Sequence, residues 1–228
     1  MARLNLGVLV SGGGSNLQSI LDKSASGALD ADVRLVLSNK PNAYGLERAR
    51  LAGVPTACLE HASCPSREEY DREMVRLLEE HAVDTVAMAG FMRMVTPVFL
   101  DAFHSRVLNI HPSLLPSFPG VRGQGDAAAY GVRLSGCTVH FVDEHMDNGP
   151  IIIQAAVPAM ADDDTKTLGS RILEMEHRVY PQALQWLAEE RLTIQGRQVV
   201  VQEARPAASP AGTTVTGALV NPGLENGF

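Results

Sequence analysis

The run Leu4-Asn5-Leu6-Gly7-Val8-Leu9-Val10-Ser11-Gly12-Gly13-Gly14-Ser15-Asn16 decides how the chain begins to fold. Its first seven residues are almost continuously apolar, which suits a strand covered on both faces. Three glycines then turn the chain, and Ser15 or Asn16 is placed to cap a helix that runs to about residue 24. A strand, a glycine turn and a helix N-terminus gather backbone N–H groups at the positive end of a helix dipole, an anion site suited to a phosphate or ribose. The loop is not a Walker loop, because no Gly-Lys-Ser/Thr follows, and it does not match G-x-G-x-x-G. A turn that merely needs positive φ is the alternative.

Outward from that run the same alternation continues. Strands are predicted at 33–37, 54–59, 85–89 and 107–110, with a helix at 43–52 stopped by Gly53. Ser66-Arg67-Glu68-Glu69 reads as a capping box, and Tyr70, Met74, Leu77 and Leu78 follow on one helical face. Alternating strands and helices predict an α/β fold with a mostly parallel sheet covered by helices on both faces. Beyond it, 138–142 and 151–157 read as strands flanking a polar loop, an antiparallel C-terminal extension. A long helix is predicted over 165–190, interrupted or bent at Pro181. From residue 204 the chain is rich in Ala, Pro, Gly, Thr and Ser without periodicity. One domain over 1–203 and a flexible tail over 204–228 are therefore expected.

Composition narrows the function. A chain of 228 residues is long enough for one domain or one domain with an appendage. With 45% hydrophobic and 20% charged residues it is neither disordered nor a coiled coil. A net charge of −7 does not suit nonspecific nucleic-acid binding, yet leaves room for a small anion in a local basic pocket. No apolar run approaches the roughly 20 residues of a spanning helix, so no membrane is expected. Cys58, Cys64 and Cys137 show no C-x-x-C spacing and read as reduced thiols of a cytoplasmic protein.

Two further stretches carry chemistry. In Asn109-Ile110-His111-Pro112-Ser113-Leu114-Leu115-Pro116, Asn109 and His111 stand two apart at a strand end, so their side chains share a face. An amide donor beside an imidazole suits acyl chemistry: the amide binds a developing oxyanion while the imidazole moves a proton. The loop Asp143-Glu144-His145-Met146-Asp147-Asn148-Gly149-Pro150 offers a carboxylate to fix the His111 tautomer. A metal site from His140, Asp143, His145 and Asp147 is the weaker alternative, without the spacing of a known metal motif.

Taken together, these motifs resemble the folate-dependent phosphoribosylglycinamide formyltransferases over about residues 3–200. The resemblance is carried by Ser11-Gly12-Gly13-Gly14-Ser15-Asn16-Leu17-Gln18, Ser38-Asn39-Lys40, Ala89-Gly90-Phe91-Met92-Arg93, the Asn109–His111 stretch, Val139-His140-Phe141-Val142, and Glu176-His177 with Tyr180-Pro181. It implies a Rossmann-like formyltransferase fold. It also implies two small-molecule substrates, 5-phosphoribosylglycinamide and 10-formyltetrahydrofolate as co-substrate, with no metal, and a monomer or homodimer. By the same resemblance Asn109, His111 and Asp147 form the catalytic trio. Gly14, Ser15, Asn16 and Glu176 bind the ribonucleotide, and Arg67, Met92, Arg93, Met94, Val95, Asn109, Asp143 and Asp147 contact the folate. Two departures stand out. Asn148 occupies a position where many relatives have glycine, and Val121-Arg122-Gly123-Gln124-Gly125 replaces a histidine-bearing run, its glycines suggesting a mobile lid. A formyltetrahydrofolate hydrolase, a methionyl-tRNA formyltransferase and a non-catalytic folate or nucleotide sensor are the competing readings. The first usually has an N-terminal regulatory domain, the second needs a basic face and a further domain, and the third has no use for a proton-transfer group.

Overall fold

A computed structural model describes residues 3–228; residues 1 and 2, part of the domain expected over 1–203, lie outside the described residues. The chain divides into two compact units, one running to Asn109 and taking in Phe141–Glu144, the other built from Ile110–His140 and His145–Phe228.

The first unit is a parallel sheet. Its strands are β1 (Leu4–Val10), β2 (Ala31–Ser38), β3 (Thr56–Cys58), β4 (Thr85–Met88) and β5 (Val107–His111), the last running on into the second unit. They lie in the order β3-β2-β1-β4-β5. The chain builds outward from β1 on one side, then returns to build from β4 on the other. The carboxyl ends of β1 and β4 therefore face a topological switch point, where open α/β sheets bind ligands. Helices α1 (Ser15–Ala25), α2 (Tyr44–Leu51), α3 (Arg67–Glu80) and α4 (Pro97–Ala102) complete the unit. Its core joins strand residues Leu9, Leu35, Leu37 and Val86 to Tyr70, Met74 and Leu78 of α3 and Phe99 of α4. At the α3 start the Ser66 cap forms, Oγ accepting from the Glu69 N–H at 3.1 Å. At α1 the expectation fails: Gly14, not Ser15 or Asn16, is the N-cap, in the left-handed region at φ 69° with no side-chain cap.

The second unit supplies the antiparallel part. Strands β6 (Leu134–Phe141) and β7 (Ile151–Pro158) pair antiparallel, and β8 (Leu192–Gln195) and β9 (Gln198–Val201) form a hairpin joined to β7 through Ile151 and Gln198. The glycine-rich stretch read as a lid is helix α5 (Gly123–Tyr130), closed by Gly131 at φ 80° and packed on α6 (Thr165–Ala188). Pro181 does not divide α6, which is one helix of 24 residues opened by an Asp164–Thr167 capping box.

Residues 204–228 also depart from expectation. Leu219–Asn221 form β10, antiparallel to β7, and side chains fix the rest of the stretch to α6. Thr213 and Thr214 donate to Glu174, Arg178 donates to the Phe228 carbonyl, Gln182 accepts from the Glu225 N–H, and Trp186 donates to Glu225 Oε1. Val215, Ala218 and Val220 are buried as well, but three apolar residues among polar bonds and one short strand leave no periodicity for composition to show. Among the described residues no helix is long and apolar enough to cross a membrane.

Candidate active site

In the first unit, the ends of β1, β2 and β4 are stitched together by Ser11. Its hydroxyl donates to Asn39 Oδ1 at 2.6 Å and accepts from the Met92 N–H at 2.9 Å, while its own N–H reaches the Gly90 carbonyl at 3.1 Å. The glycine loop that follows is seated on α2: Gly45 N–H donates to the Gly12 carbonyl, and Arg48 Nε donates to the Gly13 carbonyl at 2.8 Å. A Cβ on Gly14 would lie 2.6 Å from Gly45 Cα, so this position needs glycine both for space and for its φ. Ser15 opens α1, and Asn16 is buried on it.

Residues 91–96 leave β4 without forming helix or strand. Met92 and Met94 are 54% and 44% exposed, whereas Val95 is buried, so the segment presents two large apolar side chains to solvent. The Arg93 guanidinium lies over the Tyr70 ring at 3.9 Å, and Arg67 Nη2 donates to the Met94 carbonyl at 3.1 Å. Arg67, which at a helix start opposes the dipole, thus has a carbonyl partner on the very segment expected to bind folate. Asp143 falls in the short Phe141–Glu144 part of this unit.

The second unit holds the imidazole. His111 is 4% exposed, and its Nδ1 lies 3.4 Å from Asp147 Oδ2. Its Nε2 donates to the Phe118 carbonyl at 2.9 Å. Both partners are acceptors, so each ring nitrogen that carries a proton has an oxygen to donate to. Asp147 is fixed in turn: the Gly120 N–H donates to Oδ2 at 2.7 Å, and the residue itself sits at φ 51°. His140, buried on β6, approaches Asp147 Oδ1 at 3.9 Å. Glycine at 123 leaves room for the ring, since a Cβ there would stand 3.0 Å from His111 Nε2. The acidic loop therefore delivers the carboxylate it was expected to deliver. Among the described residues no group of three or more His, Cys, Asp or Glu side chains is placed to hold a metal.

Asn109 precedes His111 by two residues on β5, which puts both side chains on one face of the strand. Glu176 is buried on α6, where its charge and, more strongly, burial push the Cys137 thiol well up. The sequence reading missed Ser11, Asn39, Phe118, Gly120 and Asp71. The first four act through bonds to neighbours that no spacing rule exposes, and Asp71 through a bond to Thr96 twenty-five residues away.

Residues 4–184 match the formyl transferase family. The phosphoribosylglycinamide formyltransferase of Escherichia coli (strain K12) is 44% identical over 83% of this chain and 89% of its own length. The trifunctional purine biosynthetic protein adenosine-3 of Drosophila melanogaster is 48% identical over 81% of this chain, which spans only 14% of that longer protein. Among solved structures, glycinamide ribonucleotide transformylase 1 from Symbiobacterium toebii superposes with a TM-score of 0.86 at 49% identity, covering 87% of this chain and 94% of its own. By sequence and by fold, the chain belongs to the formyl transferase family.

Proposed function

We propose that this protein transfers the formyl group of 10-formyltetrahydrofolate to the amine of 5-phosphoribosylglycinamide, giving the N-formyl ribonucleotide and tetrahydrofolate. The observation that carries the reading is the buried His111–Asp147 pair, 3.4 Å apart, whose histidine stands on the strand that presents Asn109 two residues earlier. The names of the relatives support the choice of substrates.

The reaction is a direct acyl transfer. The ribonucleotide amine attacks the formyl carbon, the carbonyl oxygen becomes an oxyanion, and the tetrahedral intermediate collapses as the folate nitrogen leaves with a proton. Asn109 donates its amide N–H to the oxyanion. His111, held by Asp147, supplies a positive charge beside it and relays the proton from the attacking amine to the departing nitrogen. To meet substrate, Nε2 exchanges the Phe118 carbonyl for the reacting atoms. The glycine loop with Ser15 and Asn16 is the proposed seat of the ribonucleotide phosphate, a task suited to N–H groups at a helix start. Glu176 is proposed as a further contact of the same substrate.

The folate is assigned to Arg67, 92–95, Asn109, Asp143 and Asp147. The exposed Met92 and Met94 fit this group, since flat aromatic rings pack well on polarizable thioethers, and Arg67 provides a cation for its carboxylates. The protein's own contribution to rate is to hold two substrates in attack geometry. Absorbance at a wavelength sensitive to tetrahydrofolate tests the reading. Release that depends on the ribonucleotide is expected; release without it would mean hydrolysis, and none under either condition would remove the catalytic role.

A further inference from the structure

Residues 91–95 lie outside helix and strand, and Thr96 joins α4 only as its N-cap, its carbonyl accepting from Phe99 and Leu100, so the path of the segment is set by whatever grips its backbone. The grip comes mainly from one face of α3. Arg67, Tyr70 and Asp71 stand at i, i+3 and i+4 and therefore side by side. Arg67 donates to the Met94 carbonyl, Tyr70 lies beneath the Arg93 guanidinium, and Asp71 Oδ2 accepts from the Thr96 N–H at 2.5 Å. Ser11 holds the other end through the Met92 N–H.

Asp71 is the member whose presence packing does not explain. It is 1% exposed, sits among core residues, and its Oδ1 has no hydrogen-bond partner among the described residues. A buried carboxylate with an idle oxygen is costly, and an apolar residue would fill the helix face at less cost. What only Asp71 supplies there is a short, charged acceptor at the point where the irregular segment ends and α4 begins. The charges of Arg93 and Arg67 lie close enough to act on the same carboxylate.

We infer that Asp71 is a positioning residue for the folate-facing segment: by holding Thr96 it fixes the path of 92–95 and keeps Met92 and Met94 turned outward. The inference rests on the proposed assignment of this segment to the folate. Asp71 touches neither substrate; it acts through the backbone it holds.

Steady-state kinetics of Asp71→Leu and Asp71→Asn, each substrate varied in turn, test this. Loss of a hydrogen bond to a charged acceptor should raise the KM for 10-formyltetrahydrofolate about tenfold or more in Asp71→Leu. The KM for the ribonucleotide and kcat at saturation should stay near the parent values. Asp71→Asn keeps an oxygen that accepts from Thr96 and should recover most of the loss. If Asp71→Leu does not fold, Asp71→Ser, too short to reach Thr96, carries the same expectation. Equal rises in both KM values, an unchanged folate KM, or no recovery in Asp71→Asn would each overturn the inference. The parent protein in the same assay separates the two claims. No turnover of 10-formyltetrahydrofolate by the parent removes the substrate assignment and the inference with it. Normal parent turnover without the KM split removes the inference alone.

Discussion

His111 has little freedom: it is buried, Asp147 faces one ring nitrogen, and the Phe118 carbonyl takes the N–H of the other. Such a side chain is built for one task. His111→Ala should lower kcat by about 100- to 10,000-fold, the usual worth of a positioned acid–base group, with both substrates still binding. Near-parent turnover in that variant would remove His111 from the mechanism. Asn109→Leu, which removes the proposed oxyanion donor, should cost about 100- to 1,000-fold in kcat. Asp71 makes a separate prediction about stability. Burial raises its carboxyl above the ordinary range, outweighing the opposing effects of Thr96, Arg93 and Arg67. The folded state therefore binds that proton more tightly than the unfolded chain. Asp71's contribution to stability is fully present below the ordinary carboxylate pKa and is lost as pH rises through the folded value. Thermal melts across that window should fall less steeply for Asp71→Asn than for the parent; identical slopes would contradict the sign.

At the scale of elements, the β1–α1 junction and α6 show two ways in which sequence specifies structure. The junction is a local matter of glycine. Replacing Gly14 by Ala forces a left-handed conformation that costs about 1–2 kcal/mol, before any clash with Gly45 is counted. Gly14→Ala should therefore melt several degrees lower and bind the ribonucleotide more weakly, as calorimetry and titration would show. Helix α6 works over long range. Glu174, Arg178, Gln182 and Trp186 recur every four residues, one stripe of the helix, and each bonds to a partner between Thr213 and Phe228. Hydrogen bonds from Thr213 and Thr214 hold the Glu174 carboxyl below its ordinary range. At Glu225 burial pushes upward, but Arg191 and Trp186 together prevail and the net shift is downward. The stability these groups give is present above the ordinary glutamate pKa and lost as pH falls through the depressed values. Deleting 204–228 should thus lower the melting temperature at neutral pH, with the gap to the parent narrowing under acid. An equal gap at all pH values would mean that these carboxylates contribute nothing.

For the molecule as a whole, what was legible in the sequence follows from how each feature is encoded. Continuous apolar strands, the Ser66 cap and the Asn109–His111 spacing are short-range signals, and they were readable along with the parallel sheet; a carboxylate for His111 was legible only as one of the acidic loop, with Asp147 singled out by the family resemblance. Helix α5 was not, because Gly123-Gln124-Gly125-Asp126 has poor helix propensity and owes its conformation to packing on α6. The stretch after 204 and the Asp71–Thr96 bond were hidden for the same reason: both depend on partners tens of residues away. The family match, residues 4–184, ends before that stretch, so resemblance could not supply it.

In the proposed reaction the formyl carbon passes directly from folate to the ribonucleotide amine. Carbon-13 in the formyl group of 10-formyltetrahydrofolate, followed by mass spectrometry of the quenched reaction, tests it most directly. The label is expected in the ribonucleotide product, one for each tetrahydrofolate released, and almost none of it in the His111→Ala reaction. Label recovered as free formate while the ribonucleotide stays unlabelled would contradict the account.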